Sequence, residues 1–353
     1  MLEILRRLFF LQLSGGLLCV LFCTFPVFAV EVSGSSAEKG GEIKQVEEAD
    51  PFSSFLKQLF SGTDDTTSGT NVLSLDSAQK PRYRPGTTFI YSNGSWEKVV
   101  AADTENVTWE NHRGYVSSGR ADIIYRRTKW QTRAAKGARE FVPAKFLLEE
   151  SASSLWPLKV GNEISFYEKG RWQPKGKLEN IYSTYWQCMV EGTEKVSVPA
   201  GEFDTWKVSC SRFVSPEKAH LGKVREMKTY YYAPELEHWV IEIKDYRYRK
   251  PTRRRELVAV LPGLQDIEPV VDLAALNRSF QKALESNTSG TPLVWQSKKA
   301  GVSSTVTPRK TFKLKNGTYC RRYEQEIKTP SLQDVYYGVA CRDAQGVWAT
   351  PRR

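Results

Sequence analysis

From Pro81 to about Arg249, apolar and polar residues alternate in short runs, each broken by a turn signal, and no stretch sustains a helical period. Successive side chains of a strand point to opposite faces, so this alternation describes strands with one face buried. "GTTFIYSNGSWEKVVAADTENVTWENHRGYV" alternates around Asn93-Gly94, the dipeptide of a tight hairpin. "RADIIYRRTKWQTR" and "KVGNEISFYEKGRWQPKGK" continue the pattern. In "STYWQCMVEGTEKVSVPAGEFDTWKVSC", Glu191-Gly192 and Pro199-Ala200-Gly201 divide three short strands, and "REMKTYYYAPELEHWVIEIKDYRYR" supplies two more. The fold class is mainly β, with residues 81–263 forming an all-β domain, a sandwich or half-open barrel. Its many Trp and Tyr residues suit the core and rim of such a sheet.

The other end of the chain gives the compartment. Residues 1–29 carry Arg6 and Arg7, an apolar run from Leu17 to Phe22, and the exit Val27-Phe28-Ala29, the pattern of a cleavable signal peptide. An anchor helix retained in the mature protein is the competing reading. Leu18 and Phe22 precede Cys19 and Cys23, where a lipidation site wants a small residue. Residues 30–80 hold four Lys or Arg against nine Asp or Glu and are rich in Gly, Ser and Thr, a disordered acidic linker. Within it, Phe52, Phe55, Leu56, Leu59 and Phe60 recur at helical spacing, predicting a short amphipathic helix over 51–60. The charge reverses downstream, to 31 basic against 25 acidic residues over 81–273 and 14 against 5 over 274–353.

An exported chain meets an oxidising compartment, and four cysteines follow the signal: Cys188, Cys210, Cys320 and Cys341. An even count there favours two disulfides. No pair has zinc-finger spacing, and His112, His220 and His238 stand alone, so neither a metal site nor a catalytic thiol with its base is expected, and no cofactor is.

Residues 272–353 read as a separate module. "DLAALNRSFQKALES" is helical, capped by Asp272, with Leu273, Leu276, Phe280 and Leu284 on one face. Four strands of an antiparallel sheet are expected to follow, with turns at Lys299 to Gly301, Asn316-Gly317, Thr329 to Leu332 and Asp343 to Gly346. If Lys328 pairs with Gln333 across its turn, Cys320 falls opposite Cys341, close to disulfide distance. Cys188 and Cys210 then pair by elimination.

Two resemblances follow from these residues. The Val198-Pro199-Ala200-Gly201-x-Phe203 turn with the later Tyr232-Ala233-Pro234-Glu235 resembles a β-rich domain of exported Gram-negative proteins, which brings no catalytic residues. The helix ending Ala283-Leu284-Glu285, Trp295, Thr305 to Pro308, Cys320-Arg321 with Tyr323, Gly338 with Ala340-Cys341-Arg342, and Gly346 with Trp348 resemble the surface-antigen domain of the 17 kDa outer-membrane antigens of alphaproteobacteria. The glycine-rich membrane repeat of that family does not lie upstream, which implies a soluble accessory module.

Basic residues are the remaining functional signal. "YRYRKPTRRREL" holds Arg247, Arg249, Lys250, Arg253, Arg254 and Arg255, and the module adds Arg321, Arg322 and Arg342. One reading is a solvated face that maintains solubility. The other is an anion-binding patch, since arginine forks match phosphate and carboxylate. Glu235 and Glu237, two apart on an expected strand, would share a face, but no motif around them marks a catalytic pair. The expectation is a non-enzymatic exported protein of the periplasm or outer membrane, a binding or assembly module. Its partners would be other envelope proteins or anionic polymers such as lipopolysaccharide or peptidoglycan, with no nucleic acid and with peripheral membrane association left open. The alternative is a periplasmic carrier of lipid or a small molecule in the β domain.

Overall fold

The computed structural model describes residues 75–124, 126–133, 141–215, 221–247, 250–264, 272–297 and 301–351; the signal segment and the 51–60 helix lie outside them. Twelve strands form one antiparallel meander: β1 Thr88–Tyr91, β2 Trp96–Ala102, β3 Asn106–Asn111, β4 Val116–Arg120, β5 Arg127–Arg133 and β6 Phe141–Glu150, then β7 Glu163–Trp172, β8 Asn180–Val198, β9 Gly201–Phe213, β10 Glu226–Ala233, β11 His238–Tyr246 and β12 Lys250–Leu261. Each pairs with the next, and β12 returns to β1 with Thr88 opposite Leu261 and Phe89 opposite Val260. The domain is therefore a closed barrel rather than a sandwich or half-open sheet, and closure removes the exposed edges such a sheet would carry.

Two local expectations change. Glu191-Gly192 is not a turn: β8 runs through it as one 19-residue strand, with a register shift between Val190 and Gly192. Glu191 is the residue that the register skips, the extra residue of a bulge, and its carboxylate lies 2.9 Å from Lys207 of β9. Glu235 and Glu237 do not share a strand face either. Pro234–Leu236 is a 3-10 turn between β10 and β11, and Glu237 closes it with φ 50°.

The barrel interior has two halves. Toward the β10–β11 turn it is an aromatic core in which Phe89 stacks on His238 at 3.8 Å and Tyr83 meets Trp109 at 4.8 Å. His238 is fully buried between the Tyr83 and Tyr91 hydroxyls, at 3.1 and 2.9 Å. Burial, and then the Arg255 charge, hold its pKa well below the ordinary value. On the outer wall Gln187, Glu191 and Lys195 of β8 and Glu202 of β9 are exposed, interspersed with Leu147 of β6 and Ile181 and Met189 of β8. Among the described residues no helix is long and apolar enough to cross a membrane.

The C-terminal module packs α1, Leu273–Ser286, on a sheet of β13 Leu293–Gln296, β14 Ser303–Lys313, β15 Tyr319–Thr329, β16 Leu332–Arg342 and β17 Trp348–Ala349. Asp272 caps the helix through the Ala275 amide at 2.8 Å. Leu276, Ala283 and Leu284 are buried, while Leu273 at the first turn is exposed. The sheet has five strands rather than four, the fifth being only two residues long. The β15–β16 register sets Lys328 against Gln333 and Cys320 against Cys341, and the disulfide is formed with the Cα atoms 4.0 Å apart.

Strand alternation gives β15 two roles. Tyr323 faces the helix, beside Phe280 and Leu284, whereas Cys320 faces the barrel in a cluster with Ile90 of β1 and Val258 of β12. At the seam, Gly338 of β16 lies opposite Ala259 of β12. A side chain added at Gly338 would sit 2.7 Å from both the Ala259 Cβ and the Tyr323 hydroxyl. Arg84 to Asp334 at 2.7 Å and Phe203 against Tyr337 at 5.5 Å extend the contact.

Two outcomes follow. A buried neutral histidine stabilises the fold above the unfolded pKa near 6.5, and that stability falls as the pH drops below it, by about 1.4 kcal/mol per unit. Denaturant unfolding from pH 7 to 5 should show this slope, and His238→Gln should lose it. Gly338→Val should lower the melting temperature through a loss of about 1–3 kcal/mol by overpacking, with Ala259→Gly restoring part of it in the double variant.

Candidate functional site in the barrel lumen

The half of the barrel opposite the aromatic core is a cavity of about 460 Å³. The two-residue period of the strands builds its wall. On β10 Glu226, Lys228 and Tyr230 point inward, on β11 Glu242, Lys244 and Tyr246, and on β9 Cys210 and Arg212. Facing them are Glu97, Arg127 and Glu168, with Trp130 and Trp186 among the aromatic side chains and Arg255 from β12. Cys188 and Cys210 stand opposite each other on β8 and β9 and are joined, so the second disulfide is part of the cavity wall.

Most of these charges are paired within the lumen. Arg255 donates to Glu242 at 2.6 Å, reaches Glu97 at 3.4 Å, and lies over the rings of Tyr91 and Trp239 at 4.7 and 4.8 Å. Lys244 sits 3.0 Å from Glu242, Arg212 2.9 Å from Glu226, and Arg127 3.5 Å from Glu168, which also accepts from the Tyr182 hydroxyl at 2.7 Å. Burial would raise the Glu242 pKa, but Arg255, Lys244 and Lys228 together hold it down at about 2. Lys228 differs from the other cations: it forms no ion pair among the described residues, and its ammonium lies 4.6 Å from the centre of the Trp186 ring. Burial first, then repulsion from Lys244, lower its pKa to about 8 against the attraction of Glu226 and Glu242, with Arg127 adding to the repulsion.

The expected basic cluster is divided by this fold. Arg255 points into the lumen, while Arg247, Arg253 and Arg254 are exposed on the β11–β12 hairpin. Arg247 lies 3.7 Å from Asp245, and Arg254 donates to Glu256 at 2.6 Å. Arg249 and the side chain of Lys250 lie outside the described residues. Two of the module arginines hold its own helix, and the third reaches across to the barrel strand β8. Arg321 is buried and donates to the Leu284 and Asn287 carbonyls at the helix C-terminus, where a cation offsets the dipole. Arg322 reaches the Val198 carbonyl at 3.3 Å, and Arg342 holds Glu285 through two bonds at 2.9 and 3.1 Å.

Strand direction sorts the connections between strands into two ends. At the lumen end the described connections hold Arg113, Lys175, Lys177, Lys223, Arg225 and Arg247 against Glu179. At the aromatic end they hold Asp103, Glu105, Asp122, Glu235 and Glu237 against Arg126 and Lys159. The described connections therefore sum to +5 at the lumen end and −3 at the aromatic end, where Lys80 of the segment before β1 adds a cation 3.2 Å from Glu105. A trace of the lumen is legible in the strands: "EMKTYYY" and "VIEIKDY" place charges at alternate positions where a plain core strand would be apolar. Among the described residues no three His, Cys, Asp or Glu side chains are grouped to hold a metal.

Replacing Lys228 by Met should remove a buried charge and raise stability at pH 7 by about 2 kcal/mol. The gain should be largest below pH 8 and vanish above the unfolded lysine pKa near 10.5, because the native state of the unsubstituted protein sheds this proton first. Arg255→Met should do the opposite, costing about 3 kcal/mol by leaving Glu242 short of its main partner. Urea unfolding at pH 7 and pH 10.5 measures both.

Comparison with known proteins bears on the C-terminal module. Residues 282–349 match the family model of the 17 kDa outer membrane surface antigen. Over 68 residues the chain is 41% identical to the 17 kDa surface antigens of Rickettsia felis and Rickettsia bellii, covering 19% of this chain and 43% of each relative. Over 77 residues it is 39% identical to that of Rickettsia prowazekii, covering 22% of this chain and 48% of the relative. The chain thus spans about half the length, or less, of the curated relatives it matches. No solved structure matches the chain. The stapled C-terminal module, carried behind a twelve-stranded barrel, thus matches the 17 kDa surface-antigen type over residues 282–349.

Proposed function

We propose that this is a non-enzymatic exported envelope protein in which the barrel is a binding chamber for a small polar molecule and the surface-antigen module is its attachment to the envelope. The observation that carries the reading is the lumen, a walled space of ligand size lined by charged groups and aromatic faces and reached through a basic rim. The export half rests on two disulfides and on relatives named as surface antigens. The lining argues against acyl chains as cargo, because the wall is built of charged, polar and aromatic groups and Ile124 is its one aliphatic side chain among the described residues, which leaves a tail little to pack against.

The expected anion-binding face moves to the rim of the barrel. Arg247, Lys175, Lys177, Lys223 and Arg225 are exposed there, and a concentrated positive field attracts anionic molecules and anionic envelope polymers alike. Arg321 and Arg342 hold the helix of the module instead, and Arg322 reaches the Val198 carbonyl of β8. The partners proposed are therefore envelope anions at the rim and another envelope component at the module.

Native mass spectrometry of the protein, purified without denaturant from a Gram-negative periplasm, tests the chamber. The expected result is one small-molecule adduct that is released on unfolding and reduced in Arg255→Met. A diacyl lipid in its place, or the bare chain alone, would overturn the reading.

A further inference from the structure

The lumen also narrows the chemistry of what it holds, given the chamber reading above. Its four carboxylates are each within 3.5 Å of a cation: Glu97 and Glu242 of Arg255, Glu168 of Arg127, and Glu226 of Arg212. Five cations face those four carboxylates, and the one left over is Lys228. Its ammonium forms no ion pair among the described residues and lies 4.6 Å from the centre of the Trp186 ring, which stacks in turn on Phe166 with the rings 14° from parallel. Arg212 approaches the same indole at 5.9 Å. A cation over an aromatic face gains some attraction, but less than a paired anion supplies in a site withdrawn from water.

We propose that the lumen recognises a small molecule with a single anionic head, a carboxylate or a phosphate monoester, which pairs with the Lys228 ammonium while a planar body lies against Trp186. The head completes the charge balance of the wall, and the indole, held by Phe166, offers a flat apolar surface beside it. The rim fits the same ligand. Arg113, Lys175, Lys177, Lys223 and Arg225 surround the opening without an ion pair among the described residues, so an anion is drawn toward the chamber before it meets Lys228. A cationic ligand would face the rim and Lys228 together, and a neutral one would leave the ammonium as it is.

The test uses three probes of one shape on the full chain: phenylacetate, phenyl phosphate and the neutral 2-phenylethanol, titrated by calorimetry and by tryptophan fluorescence. At least one anionic probe should bind tenfold or more tightly than 2-phenylethanol, and the stronger of the two identifies the preferred head group. Lys228→Met should abolish that discrimination while keeping a cooperative melting transition. Lys175→Met with Lys177→Met should slow association and flatten its salt dependence but keep the discrimination. Equal binding of the neutral probe, or unchanged selectivity in a folded Lys228→Met protein, would overturn the anion anchor and leave the chamber standing. Binding of none of the three would overturn the chamber with it.

Discussion

The pairing of β1 with β12 is the interaction on which the rest of the structure depends. Only four residues of β1 take part, yet they convert an open meander into a barrel with an inside. Once closed, inward positions must either pack or form a lumen, and outward positions face water or the module. The same two strands turn Ile90 and Val258 outward into the apolar cluster that receives Cys320, Val339 and Cys341. Barrel closure and module docking thus share a few residues, and the disulfide of the module is buried in the seam between the two domains. A staple there restricts the unfolded chain and also holds rigid the surface that the barrel packs against.

The interior divides labour along the barrel axis. At one end aromatic packing around His238 excludes water and supplies hydrophobic stabilisation. At the other, ion pairs replace that packing. Burying charge offers little net stability over an apolar filling and costs heavily when one partner is missing. A barrel selected only for stability would have filled this space with Leu and Val. The retained carboxylates and cations, with Lys228 left over, form the kind of locally unfavourable arrangement that proteins keep where something binds.

The arginines show how one residue type serves unrelated purposes according to where the fold sends it. Arg255 is a structural cation inside the barrel, held by two carboxylates and two aromatic rings. Arg321 satisfies carbonyls at a helix end, and Arg342 ties the same helix to β16 through Glu285. In a linear reading Arg255 is indistinguishable from Arg253 and Arg254, since a strand period needs a known register before it can say which residue faces in.

Local chemistry by itself determined the strands, the helix with its Asp272 cap, the Asn93-Gly94 hairpin and the β15–β16 register that joins Cys320 to Cys341. Each of these is set by neighbours a few residues apart, through alternation, turn geometry and capping. It misjudged Glu191-Gly192, because a bulge and a turn look alike until the partner strand is present. It also misplaced Glu235 and Glu237, because the Pro234 turn breaks the expected strand. What only the tertiary structure decided was that twelve strands close on themselves, that one end of the interior stays open and charged, and that Lys228 meets an indole rather than a carboxylate. Those outcomes depend on contacts between residues distant in sequence, from Lys228 with Trp186 to Tyr91 with His238 and Arg255 with Glu97, which no local pattern encodes.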